Sequence, residues 1–223
     1  GPNPCRSELV RVTMRGLKRK CGTAHKQARA LTRDVLFGVL DAMSHSTKDT
    51  RDRAILLLGF AGGFRRSELV GLDVADLETV RQGLIVTLRR SMTDQEGVGR
   101  KIGIPHGRTQ HGPVAAITDW LAISSITEGP IFRSVDRHSH IHAERLCGDA
   151  VSWVIRERLT AAGIDPTGYS GHSLRAGFAT SAAQAGVSSV KIRAQTGHAS
   201  DTMLARYIRD GELFTGNAAG AIL

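Results

Sequence analysis

Apolar residues recur at helical spacing over most of this chain of 223 residues. Positions three and four residues apart share one face of a helix, so this pattern predicts helices that bury one side. The predicted helices span residues 33–44, 49–62, 67–72, 113–121, 143–162, 173–185, 188–195 and 201–208. The helix at 49–62 is apolar almost all round at Ala54–Leu58, which predicts a place at the centre of the core.

Residues 84–105 break the helical pattern. Leu84–Leu88 is rich in β-branched residues and predicts a strand. Its antiparallel partner is Lys101–Pro105, across a loop that contains glycine. The expected fold class is therefore α+β, mainly α-helical with a small antiparallel β-sheet.

The chain is basic, and its excess charge is concentrated at the amino-terminal end. Lys and Arg number 30 against 21 Asp and Glu, a formal charge of +9, and residues 1–34 contribute nine basic and two acidic residues. Within that segment, residues 7–19 add apolar positions at helical spacing, which predicts a short amphipathic basic helix. Such an arm is either a solvated segment or a strap along the phosphates of a nucleic acid, and we favour the strap.

The cysteines and the apolar runs exclude several other classes of protein. Three cysteines without metal-like spacing predict neither a disulfide framework nor a zinc site, and so a reducing, cytoplasmic setting. The longest apolar run, residues 54–61, is too short to cross a bilayer, so no membrane partner is expected. His138, His140 and His142 alternate as metal ligands on a strand can, but a polar loop is the expectation, and no metal or other cofactor is predicted.

The candidate chemistry begins in the run at residues 169–178. There His172 and Arg175 are three residues apart, so on a helix they project from one face. His198 follows Arg175 by 23 residues, and Tyr207 follows His198 by nine. These spacings define one candidate constellation of two histidines, an arginine and a tyrosine.

A second motif lies upstream, at residues 63–69. In it Arg65 stands two residues before the pair Ser67-Glu68. With both motifs and their spacing, the chain resembles the catalytic domain of the tyrosine recombinases, or phage integrase family. That family cuts and rejoins DNA through a tyrosine.

The resemblance implies a fold and a reaction. The fold is that of the DNA breaking-rejoining catalytic domains, and Tyr207 is the nucleophile that forms a 3′-phosphotyrosine and releases a 5′-hydroxyl. Covalent capture conserves the bond energy, so rejoining needs neither ATP nor a cofactor. Arg65 and Arg175 would bind the phosphate through guanidiniums that stay protonated. His172 would accept the proton of the tyrosine, and His198 would donate a hydrogen bond to the phosphate.

The chain departs from the family's pattern in the predicted hairpin. The family carries a lysine there, just before a threonine, which protonates the leaving 5′-oxygen; this chain has Met92 before Thr93. A thioether cannot donate a proton. Three interpretations stay open: Lys101 or Arg90 substitutes, the recombinase is slow, or the position was changed, naturally or deliberately, in a variant trapped at one state. A catalytically weakened DNA-binding accessory protein is the alternative function.

The resemblance also implies an organisation and partners. Residues 1–23 are expected to be a basic linker toward a core-binding domain outside this chain, and residues 24–208 the catalytic domain. Residues 209–223 form a tail that either packs on its own domain or is exchanged between protomers. The expected partners are double-stranded DNA and, on DNA, further copies of the chain as a dimer or tetramer, with a monomer when free.

The expected activity is site-specific DNA recombination for the integration or excision of a mobile element, in a prokaryotic cytoplasm and in association with the nucleoid. The residues expected to contact DNA, mostly at phosphates, are basic side chains of the arm, the first-arginine motif and the hairpin. They are Lys18, Arg19, Lys20, Arg66, Arg89, Arg90, Arg100 and Lys101.

Overall fold

The computed structural model describes residues 7–21, 28–89, 99–198 and 200–211. Its α-helices are α1 (Glu8–Cys21), α2 (Arg33–Asp41), α3 (Thr47–Gly62), α4 (Arg66–Gly71), α5 (Pro113–Ser124), α6 (Gly148–Ala161), α7 (Ser173–Gln184), α8 (Ser189–Thr196) and α9 (Asp201–Gly211). Its strands are β1 (Leu77–Val80), β2 (Gly83–Leu88), β3 (Arg100–Pro105), β4 (Arg133–Val135) and β5 (Ile141–Arg145). None of the helices in these ranges has the length and hydropathy needed to cross a bilayer. The predicted fold class is confirmed.

The larger sheet contains the predicted strand pair. Its order is β1-β2-β3 and all neighbours are antiparallel. Leu84 lies opposite Ile104 and Val86 opposite Ile102, and all four side chains are buried. Because side chains alternate across a strand, Lys101 lies on the other face of β3 and is exposed. The sheet therefore packs one face on the core, and β1 is the strand that the sequence pattern did not predict.

The predicted helix at 143–162 is wrong at its start. The first of those residues belong to β5, which pairs with β4 as a second antiparallel sheet, and α6 begins only at Gly148. Arg145, at the end of β5, donates hydrogen bonds to the backbone carbonyls of Val70 (2.7 Å) and Leu72 (3.2 Å). These bonds hold the strand against the end of α4. Trp153, in α6, is 72% exposed.

Helix α7 joins the two hydrophobic clusters of the fold. Leu174 belongs to the main core, whereas Ala179 packs in a smaller cluster with Tyr207 from α9. The chain before α2 crosses α7 so closely that a Cβ atom on Gly177 would lie 1.8 Å from the carbonyl oxygen of Leu31. Only glycine fits there. This crossing fixes the start of α7, which carries two of the candidate catalytic residues.

A buried ionic cluster ties α3 to α6. Asp52 is fully buried and accepts hydrogen bonds from Arg51 (2.7 Å and 2.9 Å) and from Arg158 (2.5 Å and 2.8 Å). Arg158 also pairs with Asp49 at 2.6 Å. Each guanidinium thus has carboxylate partners, which a buried charge requires. The cluster fixes the position of α6 against the helix that ends at the first-arginine motif.

We expect the substitution Asp52→Asn to destabilise the fold by about 3–5 kcal/mol, because it leaves two buried guanidiniums facing a neutral amide. Urea denaturation followed by circular dichroism measures the loss. The matched control is Asp34→Asn, since Asp34 pairs with Arg33 on the surface, where the Asp34 side chain is 85% exposed. Equal stability of the two variants would show that the cluster contributes nothing.

Candidate active site

The five candidate catalytic side chains come together at one pocket. A cavity of about 300 Å³ is lined by Arg65, His172, Arg175, His198 and Tyr207. They come from distant parts of the chain: the residue before α4, the start of α7, the loop after α8, and α9. The spacing in sequence therefore predicted a set of neighbours in space.

The tyrosine and the first histidine are in direct contact. The hydroxyl oxygen of Tyr207 lies 3.0 Å from Nε2 of His172, a hydrogen-bond distance. Tyr207 is 9% exposed, and its ring also lies 5.9 Å from the ring of His198. A neutral imidazole whose Nε2 is unprotonated can accept the tyrosine proton at this distance.

Arg175 is the most buried charged group of the site. It is 1% exposed, and its Nη1 donates to the backbone carbonyl of Gly63 at 2.8 Å and to that of Thr196. Its Nε has no hydrogen-bond partner among the described residues. Burial, and then the neighbouring charge of Arg65, lower the pKa of Arg175 to about 10. The guanidinium therefore still carries its charge at neutral pH.

Arg65 is oriented by a carboxylate. Glu68 accepts a hydrogen bond from Nη1 of Arg65 at 2.6 Å and a second from the backbone N–H of Arg65 at 2.8 Å. The Glu68 side chain is only 3% exposed, whereas that of Arg65 is 20% exposed. Glu68 thus caps the first turn of α4 and holds the guanidinium at the pocket, the orienting role that its place in the motif suggests.

His198 is held by Thr196. The Thr196 hydroxyl donates to the backbone carbonyl of Ile192 at 2.8 Å and lies 2.7 Å from Nδ1 of His198. A hydroxyl has one proton, so we assign Nδ1–H as the donor to Thr196, which leaves Nε2 bare when the ring is neutral. Burial, and then the charges of Arg175 and Arg65, lower the pKa of His198 to about 4.

The protonated form of His172 is also disfavoured. Desolvation by the surrounding atoms, and then the charges of Arg175 and Arg65, lower its pKa below 6.5, although the residue as a whole is exposed to solvent. Both histidines of the pocket are therefore neutral at pH 7 in the unliganded protein. A neutral His172 is the form that can act as a base.

Two of the predicted DNA contacts are paired with acids. Arg66 pairs with Asp149 at 2.5 Å, and Arg89 pairs with Asp76 at 2.6 Å. Both partners of the Arg66 pair are more than half exposed, so a phosphate could replace that carboxylate at little cost. Asp76 is buried, so Arg89 also serves to neutralise a buried carboxylate. Other predicted contacts lie on exposed surfaces: Lys18, Arg19 and Lys20 on α1, and Lys101 on β3.

Some predictions fall outside the described residues. Arg90 and Met92 belong to the segment 90–98, between β2 and β3. The predicted tail, residues 209–223, is described only as far as Gly211, the last residue of α9. These predictions stay as they were made from the sequence.

Two further residues complete the pocket lining. Thr202 and Arg206 lie on α9 with Tyr207, and sequence reasoning did not select them. They are four residues apart, so they share a helix face. That spacing just before the tyrosine was the available signal.

As for metals, no group of His, Cys, Asp and Glu side chains in the described ranges could hold an ion.

Comparison with known sequences identifies the family. A model described as "Phage integrase family" matches residues 29–212. The "Integrase/recombinase xerD homolog" of Selenomonas ruminantium is 37% identical over 218 residues, which is 97% of this chain and 64% of that protein. The "Recombinase cre" of Escherichia phage P1 is 25% identical over 234 residues, 96% of this chain and 67% of that protein. The chain thus spans less than two thirds of the xerD homologue.

Solved structures share the fold. The XerH site-specific recombinase in a post-cleavage complex with a palindromic difH substrate has a TM-score of 0.69 at 17% identity, covering 86% of this chain and 53% of that one. A lambda integrase dimer bound to a COC′ core site has a TM-score of 0.61 at 20% identity, covering 91% and 58%. The family match includes both motifs and every residue gathered at the pocket, so the chain belongs to the phage integrase family, the tyrosine recombinases.

Proposed function

We propose that this chain is the catalytic part of a site-specific DNA recombinase that works through a 3′-phosphotyrosine. The observation that carries the proposal is the 3.0 Å contact of the Tyr207 hydroxyl with Nε2 of His172, in a pocket shared with two arginines. A hydroxyl, a base and two fixed cations are the groups that metal-free attack on a phosphodiester needs.

The proposed first step is a transesterification. The Tyr207 oxygen forms a bond to phosphorus, its proton passes to His172, and the bond from phosphorus to the 5′-oxygen breaks. The leaving oxygen takes a proton from a general acid, the role for which the family uses the hairpin lysine. In the reverse direction a 5′-hydroxyl attacks the phosphotyrosine and restores the tyrosine, so no energy source is consumed.

Arg65 and Arg175 supply the charge for this step. Their guanidiniums face the same pocket, and Glu68 and the backbone carbonyls fix them before substrate arrives. Donors fixed in advance stabilise the charge of the transition state without reorganisation. His198 has a bare Nε2 when neutral, so its proposed hydrogen bond to the phosphate requires a second proton on the ring. The negative phosphate favours that protonation.

The proposed partners are duplex DNA and other copies of the chain. XerH and lambda integrase are bound to DNA in the matched structures, and one lambda integrase structure is a tetramer on a Holliday junction. The formal charge of +9 is compatible with such a ligand. We further propose integration or excision of a mobile element as the biological role, since relatives include a phage recombinase.

Met92 supports a second candidate function. Without an amine at the lysine position, the protein would bind DNA and cleave it slowly, as an accessory protein or a variant trapped at one state. The pocket is otherwise complete, so we place this candidate second.

We expect Tyr207→Phe to abolish covalent attachment to DNA and to leave binding nearly unchanged, because only the nucleophilic oxygen is lost. The substrates are nicked duplexes made from DNA that the protein selects from a random pool, and denaturing gels detect the adduct. The chain has one other tyrosine, so Tyr169→Phe is the matched control and should still form the adduct. An adduct with Tyr207→Phe would refute the assignment of the nucleophile.

We expect Met92→Lys to speed strand cleavage by about 10²- to 10⁴-fold, because it restores an amine that can protonate the leaving oxygen. Met92→Leu adds no amine and serves as the control at the same site. No gain with lysine would indicate that another residue already supplies the proton. An adduct that forms only with the lysine variant would favour the second candidate function.

We expect the cleavage rate on saturating DNA to rise with pH and to level off near neutrality. His172 must be unprotonated to act, and desolvation, the first cause of its lowered pKa, persists when DNA covers the pocket, although the charge of the phosphate opposes that lowering. The rate should therefore fall on the acid side of neutrality as His172 gains a proton. Rates measured across this range test the assignment, and a half-maximum near the tyrosine pKa of about 10 would exclude His172 as the base.

A further inference from the structure

Arg100, which the sequence suggested as a DNA contact, is turned inward. It lies at the start of β3, opposite Leu88 of β2. Its Nη1 donates to the backbone carbonyls of Ala194 at 3.1 Å and of Gln195 at 3.0 Å, in the last turn of α8. These carbonyls have no partner within the helix, so the guanidinium caps its carboxyl end.

The guanidinium also fills the space beneath the turn that follows α8. Gly197 ends the helix with φ of 67°, in the left-handed region. A Cβ atom on Gly197 would lie 2.5 Å from Nη1 of Arg100 and 2.7 Å from its Cζ. The next residue is His198. The turn that carries this histidine therefore packs directly against the guanidinium of Arg100.

Part of the Arg100 guanidinium is shielded from solvent. Its Nη2 is buried and has no hydrogen-bond partner among the described residues. Burial lowers the pKa of Arg100, which the negative charge of Glu68 opposes. The same guanidinium makes the smallest of the contributions to the lowered pKa of His198, after burial, Arg175, Arg65 and His172. It thus belongs to the charge cluster of the pocket, while Lys101 beside it faces outward.

We infer that Arg100 is a positioning residue of the active site, which fixes the Gly197-His198 turn through the end of α8 and so sets the placement of His198. This inference rests on the proposed function of the pocket and deepens it. It also replaces the expectation that Arg100 acts mainly by contacting DNA phosphate. A positioning role predicts a defect in the cleavage step, whereas a phosphate contact predicts a defect in DNA binding.

The first test compares Arg100→Gln and Arg100→Lys with Arg81→Gln. Arg81 is exposed at the turn between β1 and β2, so its loss removes one charge at the other end of the sheet. We expect Arg100→Gln to slow adduct formation on saturating DNA by about 100-fold with little change in Kd, since a misplaced catalytic group has effects of that size. Arg100→Lys keeps the charge without the fork and should recover part of the rate.

A second pair of variants tests the contact between Gly197 and Arg100 by changing the glycine. Gly197→Ala places a methyl group against the Arg100 guanidinium. Gly186→Ala is the matched control, because Gly186 follows α7 with φ of 74° and has no atom within 4 Å of an added Cβ. Both substitutions strain the backbone equally, but only the first displaces Arg100. We expect only Gly197→Ala to slow the cleavage step.

A measurement without DNA separates this inference from the proposed function. Nitrogen-15 NMR of labelled histidines follows protonation of the His198 ring, whose pKa is about 4 in the free protein. We expect the Nδ1 resonance of His198 to shift in both Arg100→Gln and Arg100→Lys, because His198 leaves Thr196, and to stay in place in Arg81→Gln. Arg100→Lys keeps the positive charge, so a shift in that variant reports placement of the ring rather than loss of charge, and it serves as the test if Arg100→Gln does not fold.

The outcomes are distinct. Weaker DNA binding with an unchanged rate at saturation would make Arg100 a phosphate contact and overturn the inference, as would a His198 Nδ1 resonance that is unchanged in both Arg100 variants. If no variant forms an adduct, Met92→Lys included, the proposed function fails. The NMR comparison then still decides whether Arg100 positions His198.

Discussion

The candidate active site depends on the burial of one guanidinium between the carboxyl ends of two helices. Arg175 is 1% exposed, and its Nη1 lies between the carbonyl of Gly63, after α3, and that of Thr196, the last residue of α8. Helix carboxyl ends carry partial negative charge and would repel one another if they met alone. A cation between them turns that repulsion into attraction, which brings α3 and α8 together around Arg175.

This meeting of helix ends positions the remaining groups. Arg65 comes two residues after Gly63, and His198 two residues after Thr196, so each helix delivers a functional side chain just past its end. Gly63 has φ of 57°, and a Cβ atom on it would lie 2.8 Å from Cγ2 of Thr196. The close approach therefore depends on glycine as well as on charge. Arg100 stabilises the same helix end by donating hydrogen bonds to the carbonyls of Ala194 and Gln195.

Sequence reasoning predicted the parts of the structure that have a local signal. The pairing of β2 with β3 followed from β-branched residues, and the five pocket residues followed from the motifs and their spacing. Strand β5 was mistaken for helix because its stability comes from Arg145, which reaches carbonyls more than 70 residues away. The inward orientation of Arg100 likewise depends on contacts with residues that are distant in the sequence. A strand pattern shows that Arg100 and Lys101 face opposite ways, but which face meets α8 is decided by packing.

The charges of the pocket suggest how binding prepares the reaction. Three guanidiniums, of Arg65, Arg100 and Arg175, lie near one carboxylate, Glu68, and Arg206 also lines the pocket, so the pocket resists any further positive charge. Both histidines are neutral for that reason and because they are desolvated, which keeps His172 ready to accept a proton. A phosphodiester brings one negative charge into this excess. It offsets the guanidiniums, so protonation of the pocket becomes less unfavourable when the substrate that needs a donor arrives. In the proposed reaction, the same arginines that would hold the phosphate thereby keep His172 unprotonated before binding and allow His198 to gain a proton after it.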